Sequence, residues 1–131
     1  MIIATSGPVL SIAVKQDRDQ FVSGSKDGTV IVWNLKQKRI GPFTICWVAE
    51  GYHKFKCSND PIKSVTVSPN NDLVAAGSTN GIVMIWDLDK LDGVSHVCIG
   101  NESGVQCISF AYDMKQIVSG HENGVICVWK M

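Results

Sequence analysis

Apolar and polar residues alternate at three places in the chain: at Leu10, Ile12 and Val14, at Val65 and Val67, and at Ile108 and Phe110. A period of two predicts β-strands with one preferred face. A polar turn follows each: Asp17-Arg18-Asp19, Ser68-Pro69-Asn70-Asn71-Asp72 or Tyr112-Asp113-Met114-Lys115. Second strands come next, at Phe21-Val22-Ser23, Leu73-Val74-Ala75-Ala76 and Ile117-Val118-Ser119. They run into Lys26-Asp27-Gly28, Thr79-Asn80-Gly81 and Glu122-Asn123-Gly124. Asp-Gly or Asn-Gly between apolar runs predicts a hairpin, because these residues accept positive φ at low cost. The third strands, Val30 to Trp33, Ile82 to Trp86 and Val125 to Trp129, are apolar on both faces. That suits a sheet covered on both sides. No stretch has a helical period.

These strands are one unit repeated. Val9 to Leu35, Ile62 to Leu88 and Val105 to Met131 align without a gap, and Gly24, Gly77 and Gly120 each precede Trp33, Trp86 and Trp129 by nine residues. Adding 53 carries a position from the first repeat to the second, and adding 43 carries it to the third. The first interval therefore holds about ten extra residues, which predicts an inserted loop over Trp47 to Cys57. The fold class is all-β, built from small stacked sheets.

The pattern of strand, polar turn, Gly-Ser-Thr-Asn-Gly hairpin and Trp86-Asp87 resembles the Trp-Asp (WD) repeat β-propeller family. The resemblance covers nearly the whole chain, three times over. It implies about three four-stranded antiparallel blades, an incomplete propeller, over residues 8–48, 61–100 and 104–131. Ile40 to Val48 and Ser95 to Gly100 are then the candidate fourth strands, with Met1 to Thr5 as a closing strand for the last blade. The family's buried tetrad of His, Ser/Thr, Asp and Trp is incomplete in every repeat. Thr5, Ser58 and Asn101 stand at the His positions, Ser23, Ala76 and Ser119 in the second strand, and Asp27, Asn80 and Asn123 in the turn. Only Trp86-Asp87 is the literal pair, since Asn34 and Lys130 follow the other two tryptophans. Trp33, Trp86 and Trp129 are assigned to the core, and Gly28, Gly81 and Gly124 to the hairpin turns.

Propellers close with four to eight blades. Three leave two apolar flanks, so the chain is expected to self-associate, to pair with other blades, or to be part of a longer propeller. A stable 14.3 kDa monomer counts against this.

In such blades the hairpins and the inter-blade connections share one end, the top. Lys26, Thr79 and Glu122 precede the turn residue and occupy, by resemblance, a favoured contact position for partner proteins or peptides. The inserted stretch with Tyr52, His53, Lys54 and Phe55 carries the aromatic and basic residues of interface hot spots. It either tucks against blade one or joins that surface. Lys36-Gln37-Lys38-Arg39 reads as a solvated loop at the other end.

Composition narrows the function. Twelve basic against 12 acidic residues give zero formal charge, without the basic footprint of a nucleic-acid binder. No apolar run approaches the roughly 20 residues of a membrane span. The five cysteines form no C-x-x-C pair, which predicts free thiols in a reducing, intracellular and chiefly cytoplasmic setting, with the nucleus as an alternative. Neither a Gly-x-Ser-x-Gly elbow nor a phosphate loop occurs, and the acids are scattered through turns, so no catalytic, metal or cofactor site is expected. The Trp-Asp-x-Arg and Phe-Arg-Arg-Gly motifs known in the family are absent as well. The reading is a non-enzymatic interaction scaffold, with a terminal portion of a larger regulatory or sensor protein as the alternative.

Overall fold

The computed structural model describes residues 7–15, 19–42, 44–88, 96–99, 103–113 and 115–130. The proposed closing strand at residues 1–5, with Thr5 and Asn101, lies outside them.

Three antiparallel sheets carry the three repeats. Blade one orders β1 (Val9–Val14), β2 (Gln20–Ser25), β3 (Thr29–Ile40) and β4 (Thr44–Lys56) side by side. Blade two does the same with β5 (Ile62–Val67), β6 (Leu73–Ser78), β7 (Ile82–Asp87) and β8 (His96–Ile99). Among the described residues blade three has three strands, β9 (Val105–Phe110), β10 (Gln116–His121) and β11 (Ile126–Lys130). The register repeats with the sequence: Phe21 lies opposite Trp33, Val74 opposite Trp86 and Ile117 opposite Trp129.

The blades stack face to face, with β1, β5 and β9 against one another along the inner edge. Val22, Val30 and Val32 of blade one meet Ile62, Val65, Met84 and Trp86 of blade two in one cluster. Ala75, Val83 and Ile85 on the opposite side of blade two meet Val105, Ile108 and Ile117 of blade three in another. Blade two is therefore apolar on both faces because both are covered. Close approach depends on glycine. A Cβ on Gly24 falls 2.7 Å from Ile62 Cγ2, and one on Gly77 falls 2.4 Å from Val105 Cγ1. Ile62 and Val105 begin their blades and seat in the hollows that these glycines leave.

Two expectations are corrected. The fourth strand of blade one extends well past Ile40–Val48, and the extra residues of the first interval are not an inserted loop. Strands β3 and β4 form one long ribbon, paired from Thr29–Lys56 to Ile40–Thr44. Gly41, at φ +71°, and Pro42 make the turn that permits it. A register shift between Asn34 and Leu35 marks where the blade ends and the ribbon leaves it. Lys36 to Arg39 are exposed at the end away from the hairpins, but on strand.

Candidate functional site

The top end is built from one backbone device used three times. The side chains of Asp27, Asn80 and Asn123 accept the N–H two residues on, from Thr29 (3.0 Å), Ile82 (3.1 Å) and Val125 (3.1 Å). The glycine between them takes φ of +84°, +89° and +84° at Gly28, Gly81 and Gly124, a region that costs other residues steric strain. The amides of Lys26, Thr79 and Glu122 donate to the carbonyls of Pro8, Pro61 and Gly104 at 2.9, 3.0 and 3.0 Å. Each hairpin is thereby fastened to the start of its own inner strand. Lys26 and Glu122 point into solvent and Thr79 is half-buried.

The connection from blade one to blade two crosses the same end. Cys57 and Ser58 donate their amides to the Gly28 carbonyl at 3.0 and 3.3 Å. Ser58 Oγ lies 3.2 Å from Ser78 Oγ and accepts from Asn80 Nδ2 at 3.4 Å. Ser58, at the position where the resemblance implies a histidine, thus joins Ser78 and the turn residue Asn80. The charges here are mixed. Lys56 Nζ donates to the Asp27 carbonyl, and Lys63 lies 3.9 Å from Glu122 across two blades. The hydrogen bond from the Thr29 hydroxyl holds the Asp27 carboxyl below the usual carboxylate range.

The aromatic-basic stretch divides. Phe55, opposite Val30, turns inward and packs on Trp86 with ring centres 5.7 Å apart. Its role is to join blades one and two. Tyr52, opposite Trp33, covers that indole at 5.3 Å while staying 60% exposed. His53 and Lys54 are exposed on the same edge strand. None of these four sits on a top loop.

The tryptophans are structural. Trp33 and Trp86 are buried and Trp129 half-buried. Trp33 Nε1 donates to Ser23 Oγ at 3.1 Å, and Trp129 Nε1 to Ser119 Oγ at 3.2 Å. Blade three adds His121, from the end of β10. Its Nε2 is 2.9 Å from Ser119 Oγ and its Nδ1 is 2.8 Å from the Ser103 carbonyl. A carbonyl only accepts and an indole N–H only donates. A proton on Nδ1 therefore completes a relay from Trp129 through Ser119 and His121 to Ser103. The signal was available: His121 occupies the position of Ser25 and Ser78, and is the one large polar residue there.

At the far end, Val14, Val67 and Phe110, equivalent in the three blades, line a cleft of about 380 Å³ with Ser68, Pro69 and Tyr112. Among the described residues no three His, Cys, Asp or Glu side chains gather as metal ligands, and no helix is long and apolar enough to cross a membrane. Cys57, Cys107 and Cys127 are free thiols.

Comparison with known sequences agrees with this geometry. The WD domain, G-beta repeat family matches at residues 2–34, 50–87 and 93–130. The chain belongs to the WD-repeat family. Similar relatives are Striatin-4 of Mus musculus, 23% identical over 92% of this chain, and Protein Atg16l2 of Homo sapiens, 28% identical over 98%. Small ribosomal subunit protein RACK1 of Neurospora crassa is 26% identical over 97% of the chain. The chain spans only 17%, 20% and 39% of these relatives' own lengths.

Proposed function

We propose that this WD-repeat chain is a non-enzymatic scaffold that binds proteins or peptides through the top of its blades. The observation that carries this is the repeated fastening of Lys26, Thr79 and Glu122. One backbone geometry presents a cation, a hydroxyl and an anion at equivalent places. A rigid frame with varied, mixed-charge side chains suits a protein surface and disfavours a uniform polyanion such as nucleic acid. Tyr52, His53 and Lys54 extend the contact surface along the edge of blade one.

A second reading is favoured by the short share of the relatives that the chain spans: these blades act as one portion of a larger regulatory or sensor propeller. The free thiols support an intracellular setting, the cytoplasm first and the nucleus second.

The test is partner capture on the immobilised chain, with and without a combined Lys26→Glu, Thr79→Arg and Glu122→Lys change. The captured set is lost with the triple variant and thinned by Tyr52→Ala with His53→Ala. An unchanged set with the triple variant refutes the top-surface reading.

A further inference from the structure

The outer edges of the sheets differ greatly in length. Strand β4, the outer edge of blade one, runs 13 residues from Thr44 to Lys56, against four for β8 of blade two. Among the described residues no strand pairs with the far side of β4.

The register decides which backbone groups that side offers. The Cys57 amide donates to the Gly28 carbonyl at 3.0 Å, and the pairing continues without a shift from Thr29–Lys56 to Asn34–Gly51. In an antiparallel ladder, bonded and unbonded pairs alternate. Phe55, His53 and Gly51 therefore bond to β3, and the N–H and C=O groups of Lys56, Lys54 and Tyr52 face outward. The other side of β3 agrees. The Leu35 amide donates to the Asp19 carbonyl at 2.8 Å, and the same alternation turns the backbone groups of Trp33 and Ile31, the partners of Tyr52 and Lys54, toward β2.

The same hairpin concentrates positive charge. Five of the chain's 12 basic residues, Lys36, Lys38, Arg39, Lys54 and Lys56, lie on β3 and β4, with Glu50 alone of its 12 acidic ones. Lys36, Lys38, Arg39 and Lys54 are exposed and have no carboxylate partner among the described residues.

A long open edge is a template for pairing with another strand. Like charges placed opposite one another disfavour such a pair and opposite charges favour it. The lysines thus reject a second β4 and select an acidic strand. A nucleic acid or an anionic membrane answers the charge but offers no amide ladder to the outward backbone groups.

We propose that the outer edge of β4 takes up an extended acidic segment of another protein as a fifth strand of blade one, bonded to Tyr52, Lys54 and Lys56. In strand addition of this kind, main-chain bonds supply affinity and alternate side chains supply specificity. The site goes beyond the top-surface reading and does not depend on it.

Fluorescence anisotropy of a labelled short peptide of alternating glutamate and threonine tests it. Saturable binding to the chain is expected. A peptide of alternating glutamate and proline, with the same charge and half the amide donors, is expected not to bind. Lys54→Ala removes the charge alone, whereas Lys54→Pro also removes the outward N–H at an edge position where proline is tolerated. Binding should be weaker in Lys54→Pro than in Lys54→Ala by up to about tenfold, the effect of one hydrogen bond. Amide exchange resolved by NMR should slow at Tyr52, Lys54 and Lys56 when the peptide binds. The combined Lys26→Glu, Thr79→Arg and Glu122→Lys change should leave this binding intact, so that failure here and failure of the top-surface reading are told apart. No binding, loss of binding in that triple variant, or equal binding of the two peptides overturns the proposal. Tighter binding of single-stranded DNA or of phosphatidylserine vesicles than of the glutamate–threonine peptide overturns it as well. If Lys54→Pro fails to fold, the exchange of the Tyr52 and Lys54 amides in the wild type decides alone, and unchanged exchange there refutes strand addition.

Discussion

Ala76 stands on β6 where Ser23 and Ser119 accept the indole N–H of their own blade's tryptophan, and the buried Trp86 Nε1 beside it has no acceptor among the described residues. The central blade is thus apolar and complete in its packing but lacks one hydrogen bond that its two neighbours make.

Ala76→Ser should restore that bond. A net hydrogen bond adds about 1 kcal/mol, and relieving a buried donor adds to it. The urea midpoint is expected to rise with unchanged slope. The reverse change, Ser23→Ala, leaves the Trp33 donor unpaired and should cost about 1–3 kcal/mol. No gain from Ala76→Ser would mean that the indole finds its acceptor in solvent.

Hairpin glycines are not equivalent in what surrounds them. A Cβ on Gly28 lies 1.8 Å from the Ser58 carbonyl oxygen, while one on Gly124 meets no described residue within 4 Å. Both need positive φ. Gly124→Ala should therefore cost only the backbone term, about 1 kcal/mol. Gly28→Ala must also displace the connection to blade two and should be far more damaging. Thermal unfolding of the two variants side by side checks the order.

His121→Ala removes the link between Ser119 and the Ser103 carbonyl. Leaving buried polar atoms unpaired costs about 1–3 kcal/mol each. The loss should concentrate in blade three, read as faster amide exchange across β9 to β11 with blade one unaffected.

Burial pushes the Cys57 thiol up to about 12, against a weaker opposing hydrogen bond with the Val30 backbone. An unfolded cysteine ionises near about 8.5. The folded chain holds this proton more tightly, so the contribution to stability is whole below about 8.5 and is lost as pH rises from there through about 12. Stability of the wild type should fall more steeply above about pH 8.5 than that of Cys57→Ala. Parallel slopes would contradict the assignment.

Most of the blade was legible in the chain because its determinants are local. The Asp-Gly and Asn-Gly turns, the nine-residue step from glycine to tryptophan and the two-residue alternation each act within one hairpin. The β3–β4 ribbon was not legible. Lys36 to Arg39 are polar at successive positions and exposed, so alternation carries no signal. Gly41-Pro42 was the available clue. The packing of Phe55 was not legible for a related reason: its partner, Trp86, is in the next blade, and no pattern within one repeat reveals that contact. The histidine of blade three escaped because it comes from the end of β10 and not from the segment before β9.

Partner binding at the hairpin end is the central proposal. Hydrogen–deuterium exchange of the chain alone and with its captured partner measures this directly. Protection is expected at residues 26–28, 57–61, 79–81 and 122–124, with residues 68–72 and 111–113 unchanged. Protection confined to the 68–72 and 111–113 end, with the hairpins exchanging as before, would contradict it.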